Sequence, residues 1–209
     1  MRLRGLSIQS GASSAAIVFV PGTVVGALHI EQCRLFGSSF GVGFAVPDGG
    51  SSELYISDSV ISENGSVGNQ SGVEVLANGT ATVRASLSNV KLNNNRHGIT
   101  VESVSGSSGR ISLSMRDSTA AGNSQSGIQV IAQGAPVVVD MDNVTATANS
   151  TGLLVAGAAT RVLITRLSLI SNFIGMSTVN SGVIVSYGDN HINNNISMNG
   201  APTVVQTPQ

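Results

Sequence analysis

The sequence predicts an all-β solenoid, a chain wound into about seven coils of three short strands each. Three observations carry this expectation. One unit recurs along nearly the whole chain, apolar residues alternate within it with period two, and Gly, Asp and Asn punctuate it at the same places each time. A repeat in this length range means stacked units, and a period of two rather than 3.6 means that the units are built of strands.

In the clearest copies an apolar-x-apolar strand ends in Asp or Asn: Ile56-Ser57-Asp58, Leu87-Ser88-Asn89, Met115-Arg116-Asp117 and Met141-Asp142-Asn143. An Asn follows six places later, at Asn64, Asn95, Asn123 and Asn149. A Gly then opens the next strand, giving the row Gly41, Gly72, Gly98, Gly127, Gly152 and Gly175, with Ala16 at its start. Successive members lie 25, 31, 26, 29, 25 and 23 residues apart, so the units are near-equal but carry insertions.

The three strands of a coil follow in order. The first opens at the Gly, as in Gly72-Val73-Glu74-Val75 and Gly98-Ile99-Thr100-Val101. The second precedes the Asp or Asn, as in Leu54-Tyr55-Ile56 and Leu113-Ser114-Met115. The third follows it, as in Val90-Lys91-Leu92 and Val144-Thr145-Ala146. Aligned across coils, the position after the Gly reads Ile17, Val42, Val73, Ile99, Ile128, Leu153, Met176. The position two before the Asp or Asn reads Leu3, Ile30, Ile56, Leu87, Met115, Met141, Ile164, Tyr187. No single coil buries its apolar side alone, but stacking like on like at a spacing of about 4.8 Å makes a continuous aliphatic column. The bends need unusual backbone, which Asp, Asn and Gly adopt at least cost, and stacked Asn amides can bond along their column.

The first coil is incomplete: Leu3-Arg4-Gly5-Leu6-Ser7-Ile8 matches the second and third strands with no first strand before it. The expectation is a fragment, a mis-started frame or a domain whose preceding coils lie elsewhere. Its bare sheet edge suggests end-to-end association. Residues 1–199 read as one domain and residues 200–209, where the repeat stops, as a C-terminal tail or cap.

Gly5-Leu6-Ser7-Ile8, Ala27 to Cys33, Ile56 to Asn64 and Ser186 to Ile192 carry a family resemblance. The chain resembles right-handed parallel β-helix proteins of the pectate-lyase-like superfamily and is similar to their bacterial right-handed β-helix repeat members. The resemblance implies a right-handed coil, the hand that parallel crossovers favour generally. It also implies that function, where present, sits on the outer face of the Gly-led strands and their flanking loops. The superfamily spans polysaccharide lyases, galacturonases, esterases, epimerases, tailspikes and adhesins, so it implies no single activity.

Composition excludes more than it selects. Charged residues make up 10% of the chain with a net charge of −1, which argues against nucleic-acid binding and against a strongly basic groove for polyanions. The single cysteine, Cys33, falls in an inward row and reads as a small buried residue. No run of about 20 apolar residues is present to span a membrane, and because Met1-Arg2-Leu3-Arg4 leads straight into a strand, no signal peptide is expected in it. The Ser, Gly and Asn richness still favours a secreted or cell-surface setting. No cofactor or metal site is implied: His29, His97 and His191 fall in different units and rows.

Two outward clusters are candidates for chemistry. The first comprises Glu74, Glu102, Arg96 and His97, with Thr100 and Gln129 in the row of Glu74 and Lys91 nearby. It lies beside the longest bend insertion, Gly65 to Ser71. The two glutamates fall roughly 8 Å apart by strand geometry, near the separation of an inverting carboxylate pair. A solvated ion pair among Glu74, Arg96 and Lys91 accounts for the same residues. The runner-up comprises Asp140, Asp142 and Arg116, where stacked opposite charges read as compensation, as Arg4 and Glu31 do lower down. The signatures of galacturonases, calcium-dependent lyases and nucleophile-elbow hydrolases are missing. The expected function is therefore a non-catalytic solenoid binding a polysaccharide or a protein partner along its long face, with a polysaccharide lyase or glycoside hydrolase as the alternative.

Overall fold

The computed structural model describes residues 1–11, 13–22, 25–65 and 70–206. Every regular element among them is a β-strand, and the strands stack into three parallel sheets. Sheet one has nine strands, from Arg2–Arg4 to Val204–Val205; sheet two has eight, from Ser7–Gly11 to His191–Asn193. Sheet three, the Gly-led sheet, has seven, from Ile17–Phe19 to Ile174–Val179. Within a sheet each strand bonds to its equivalents one coil before and one coil after, so the chain is a β-solenoid of about seven coils.

The registers follow the apolar rows. Ile17, Val42, Val73, Ile99, Ile128, Leu153 and Met176 are Cα partners in succession through sheet three. All are buried, and Phe19 stacks on Phe44 at 5.3 Å near one end of the column. In sheet one the row runs Leu3, Ile30, Ile56, Leu87, Met115, Met141, Ile164 and then Ser186, not the expected Tyr187. The last coil carries one extra residue before its bend, taken up at Gly188 with φ 91°, and this moves the register by one. Cys33 is buried as expected, its thiol against the Glu31 carbonyl oxygen.

Three corners turn each coil, and the two that flank sheet two use left-handed backbone at recurring positions. At the first, Asp58, Asn89, Asp117 and Asn143 have φ between 49° and 55°. Gln32 and Arg166 hold the same conformation without the residue types that favour it, and Asp189 does not adopt it. At the second, the left-handed residue comes just before the recurring Asn of the coil, as at Glu63, Asn94, Gly122, Ala148, Ser171 and Asn194. The Asn itself is buried through most of the column and bonds along it. Nδ2 of Asn64, Asn123, Asn149 and Asn172 each donates to Oδ1 of the next Asn at 2.8–3.1 Å.

The Gly row serves this ladder through size, not through φ. A Cβ on Gly152 would lie 2.6 Å from the Gly175 carbonyl oxygen and 2.9 Å from Nδ2 of Asn172. Only a residue without a side chain lets the strand start so close to the stacked amides. At the far end the Val204–Val205 strand pairs with Val183–Ser186, and the Thr203 hydroxyl donates to the Ile184 carbonyl while accepting from its N–H. Residues 207–209 of the tail lie outside the described residues.

Candidate functional site

Alternation along the Gly-led strands sends the second residue after each Gly outward. Gly43, Glu74, Thr100 and Gln129 are therefore neighbours in one row on successive coils. Two residues further along the strand the next outward row holds Leu76, Glu102 and Ile131. Glu102 is thus one coil up and two residues along from Glu74, a Cα separation of roughly 8 Å from strand rise and strand spacing.

These side chains surround one cavity of about 340 Å³ on the outer face of sheet three. Arg96 and His97 enter it where the His97–Ser103 strand begins, so the structure brings Glu74, Glu102, Arg96 and His97 together around one space. Gln125, Gln129 and Gln133, all from the following coil, supply three carboxamides, and Ile131 is the apolar patch. A second cavity of about 320 Å³ lies on the other side of Arg96, at the corner between sheets two and three, over Glu63, Asn94, Gly122 and Ser124. Residues 66–69, within the insertion noted beside the cluster, lie outside the described residues.

Burial dominates the electrostatics. Burial pushes the Glu74 carboxyl above the ordinary carboxylate range, and the Glu102 charge pushes it further. Burial likewise raises Glu102, against a hydrogen bond from Gln133 Nε2 to its Oε1 at 2.6 Å. His97 is only 9% exposed. Burial, then the Arg96 charge, holds its pKa below the ordinary value. Its Nδ1 accepts the Ser126 N–H at 3.4 Å, so the neutral ring carries its proton on Nε2. Thr100 is buried at the floor, its hydroxyl bonded to that of Ser71 at 2.8 Å.

Lys91 is not part of this group. It lies exposed on the Lys91–Asn93 strand of sheet two, beside Val60 and Thr119. Among the described residues no ion pair joins it to Glu74, so the expected ion pairing of the cluster does not hold in that form.

The runner-up cluster on sheet one is a compensated charge ladder. Arg116 reaches Asp140 at 3.4 Å and Asp142 at 4.0 Å. Arg166 clasps Asp142 through Nε and a terminal nitrogen at 2.9 and 2.8 Å. Lower down Glu31 pairs with Arg2 at 2.6 Å, while Arg4, its register partner, bonds Gln32 instead. No group of three or more His, Cys, Asp or Glu among the described residues is placed to share a cation.

Sequence reasoning missed Gln125, Gln133, Ile131 and the Arg166 clasp. Gln125 stands two before Gly127 as Arg96 stands two before Gly98, so extending the row count below the Gly would have found it. Gln133 and Arg166 sit at bends, where no periodicity fixes a direction.

No helix among the described residues is long and apolar enough to cross a membrane. No curated protein and no solved structure matches the chain. Among known families, the right-handed β-helix region matches residues 2–174, which covers most of the chain and falls within the three stacked sheets. The chain belongs to the right-handed β-helix family.

Proposed function

We propose that the chain binds carbohydrate on the outer face of sheet three, with the cavity over Glu74, Thr100, Glu102 and Gln129 as the subsite that takes a sugar ring. The observation that carries this reading is the lining. Two carboxylates accept hydrogen bonds, three carboxamides both donate and accept, and Ile131 offers one apolar contact. Sugar hydroxyls need such alternating partners, and the volume falls in the range of small-molecule sites. Among the described residues no Phe, Tyr or Trp lines the cavity, so binding in the millimolar range, about −4 kcal/mol, is expected for a short oligosaccharide.

Calorimetric titration of the full chain with neutral and acidic oligosaccharides tests this. Binding to at least one class, lost in Gln129→Ala with an unchanged melting temperature, supports the reading. Absence of binding across the panel overturns it.

A hydrolytic reading is favoured by one observation: two glutamates whose carboxyl pKa values are raised by burial line the same cavity, on adjacent coils, as an acid and base pair would require. Release of reducing ends, abolished by Glu74→Gln and by Glu102→Gln in folded protein, would replace binding alone by catalysis.

A further inference from the structure

Glu74 is a half-buried carboxylate that no donor side chain among the described residues bonds. On the coil before it the register partner is Gly43, which has no side chain to donate to it. On the coil after it, the Thr100 hydroxyl is hydrogen-bonded to that of Ser71. Among the described residues the charged groups of the cavity are Glu74 itself, Glu102 and Arg96; burial holds His97 toward its neutral form, and the strand Ser126–Ala132 brings Gln129 and Ile131. A carboxylate taken partly out of water without a donor is costly, and a second carboxylate beside it adds to the cost. A ligand that carries a cation with several N–H donors removes both penalties, whereas a uronate adds a third negative charge to the same space.

We infer that the cavity selects an amine-bearing sugar, with the protonated amino group of the ligand lying between Glu74 and Glu102 and the ring hydroxyls facing Gln129 and Gln133. This rests on the carbohydrate-binding reading above and names the chemical class that the site takes. An ammonium bound there donates to Glu74, which no described residue's side chain bonds, and to the Glu102 oxygen that Gln133 does not engage. Acetylating the amine removes the charge and two of its three donors, so the preference is for the free amine.

The test is calorimetric titration of the full chain at about pH 6.5, above the ordinary carboxylate range and below the ordinary range of amines. The probes are a glucosamine tetramer, the N-acetylglucosamine tetramer and a galacturonate tetramer. The expected result is at least tenfold tighter binding of the glucosamine tetramer than of its acetylated counterpart, with the galacturonate weakest. Glu74→Gln should reduce that preference to less than threefold while leaving the melting temperature at or above wild type. Equal or tighter binding of the acetylated tetramer, or an unchanged preference in Glu74→Gln, overturns the inference. If the acetylated tetramer binds and Gln129→Ala abolishes it, the inference falls and the carbohydrate-binding reading stands. If none of the three binds and a wider neutral panel also fails, both fall.

Discussion

Glu74 has a consequence for stability that is separate from any ligand. Its carboxyl is raised from an ordinary value of 4.5 first by burial and then by Glu102. Above about pH 4.5 the folded chain therefore holds more of this proton than the unfolded chain does, so stability falls as pH rises through the folded value. Below that pH both states are protonated and the penalty is absent. Replacing Glu74 by the neutral, isosteric Gln should leave the melting temperature close to wild type near pH 4 and raise it above wild type at pH 7. His97 imposes the opposite trend in both proteins: its pKa is lowered by burial and then by the Arg96 charge, so below about pH 6.5 the unfolded chain takes up this proton before the folded chain does and stability falls. A melting series from about pH 4 to pH 8, read as the difference between variant and wild type, removes the His97 contribution. A difference that shrinks toward neutral pH would contradict this account of Glu74.

The Asn ladder is the element that fixes the corner between sheets two and three. Asn123 shows the pattern in full: Oδ1 accepts the Asn95 N–H at 2.9 Å, and Nδ2 donates to the Leu92 carbonyl at 3.0 Å and to Asn149 Oδ1 at 2.8 Å. It is buried, so Asn123→Ala leaves the Asn95 N–H and the Leu92 carbonyl without these partners or water. Each such orphan costs about 1–3 kcal/mol, which predicts a loss of about 3–5 kcal/mol in denaturant unfolding. Much of this element is legible in the sequence. An amide that recurs between an aliphatic strand and a Gly has its own equivalents one coil away as its nearest partners. The apolar rows from Ile17 to Met176 are legible because period two leaves each residue only two directions. What is not legible depends on contacts across coils. Nothing local marks Gln32 and Arg166 as left-handed; the coil geometry imposes φ values of 52° and 49° on them. Tyr187 is misplaced because a single inserted residue before a bend leaves the alternation pattern unbroken while shifting the register. The site follows the same division. Glu74, Thr100, Glu102 and Gln129 are found by counting from the Gly, whereas Gln133 requires knowing where a bend returns.

At the scale of the whole molecule, stacking makes stability nearly one-dimensional, since each coil contacts chiefly its neighbours. Opening from an end then breaks one interface, while opening in the middle breaks two. The two ends also differ from each other. The strands Arg2–Arg4 and Ser7–Gly11 have mostly exposed or half-buried residues and, among the described residues, a bonded neighbour on one side only. At the other end Thr203 and the Val204–Val205 strand cover Val183–Ser186, and Asn199 accepts from Asn195 to close the ladder. The central strands Ser71–Ala77, His97–Ser103 and Ser126–Ala132, which carry the candidate site, are the most deeply buried of their sheet. Native-state amide hydrogen exchange should therefore show a graded profile: fastest in residues 2–11, slower in 183–186, slowest in 97–103 and 126–132. Asn123→Ala should convert that gradient into a step, because loss of a central interface uncouples the coils on either side. Exchange of all coils at one common rate would mean instead that the solenoid opens as a single cooperative unit. The candidate site would then gain no protection from its central position.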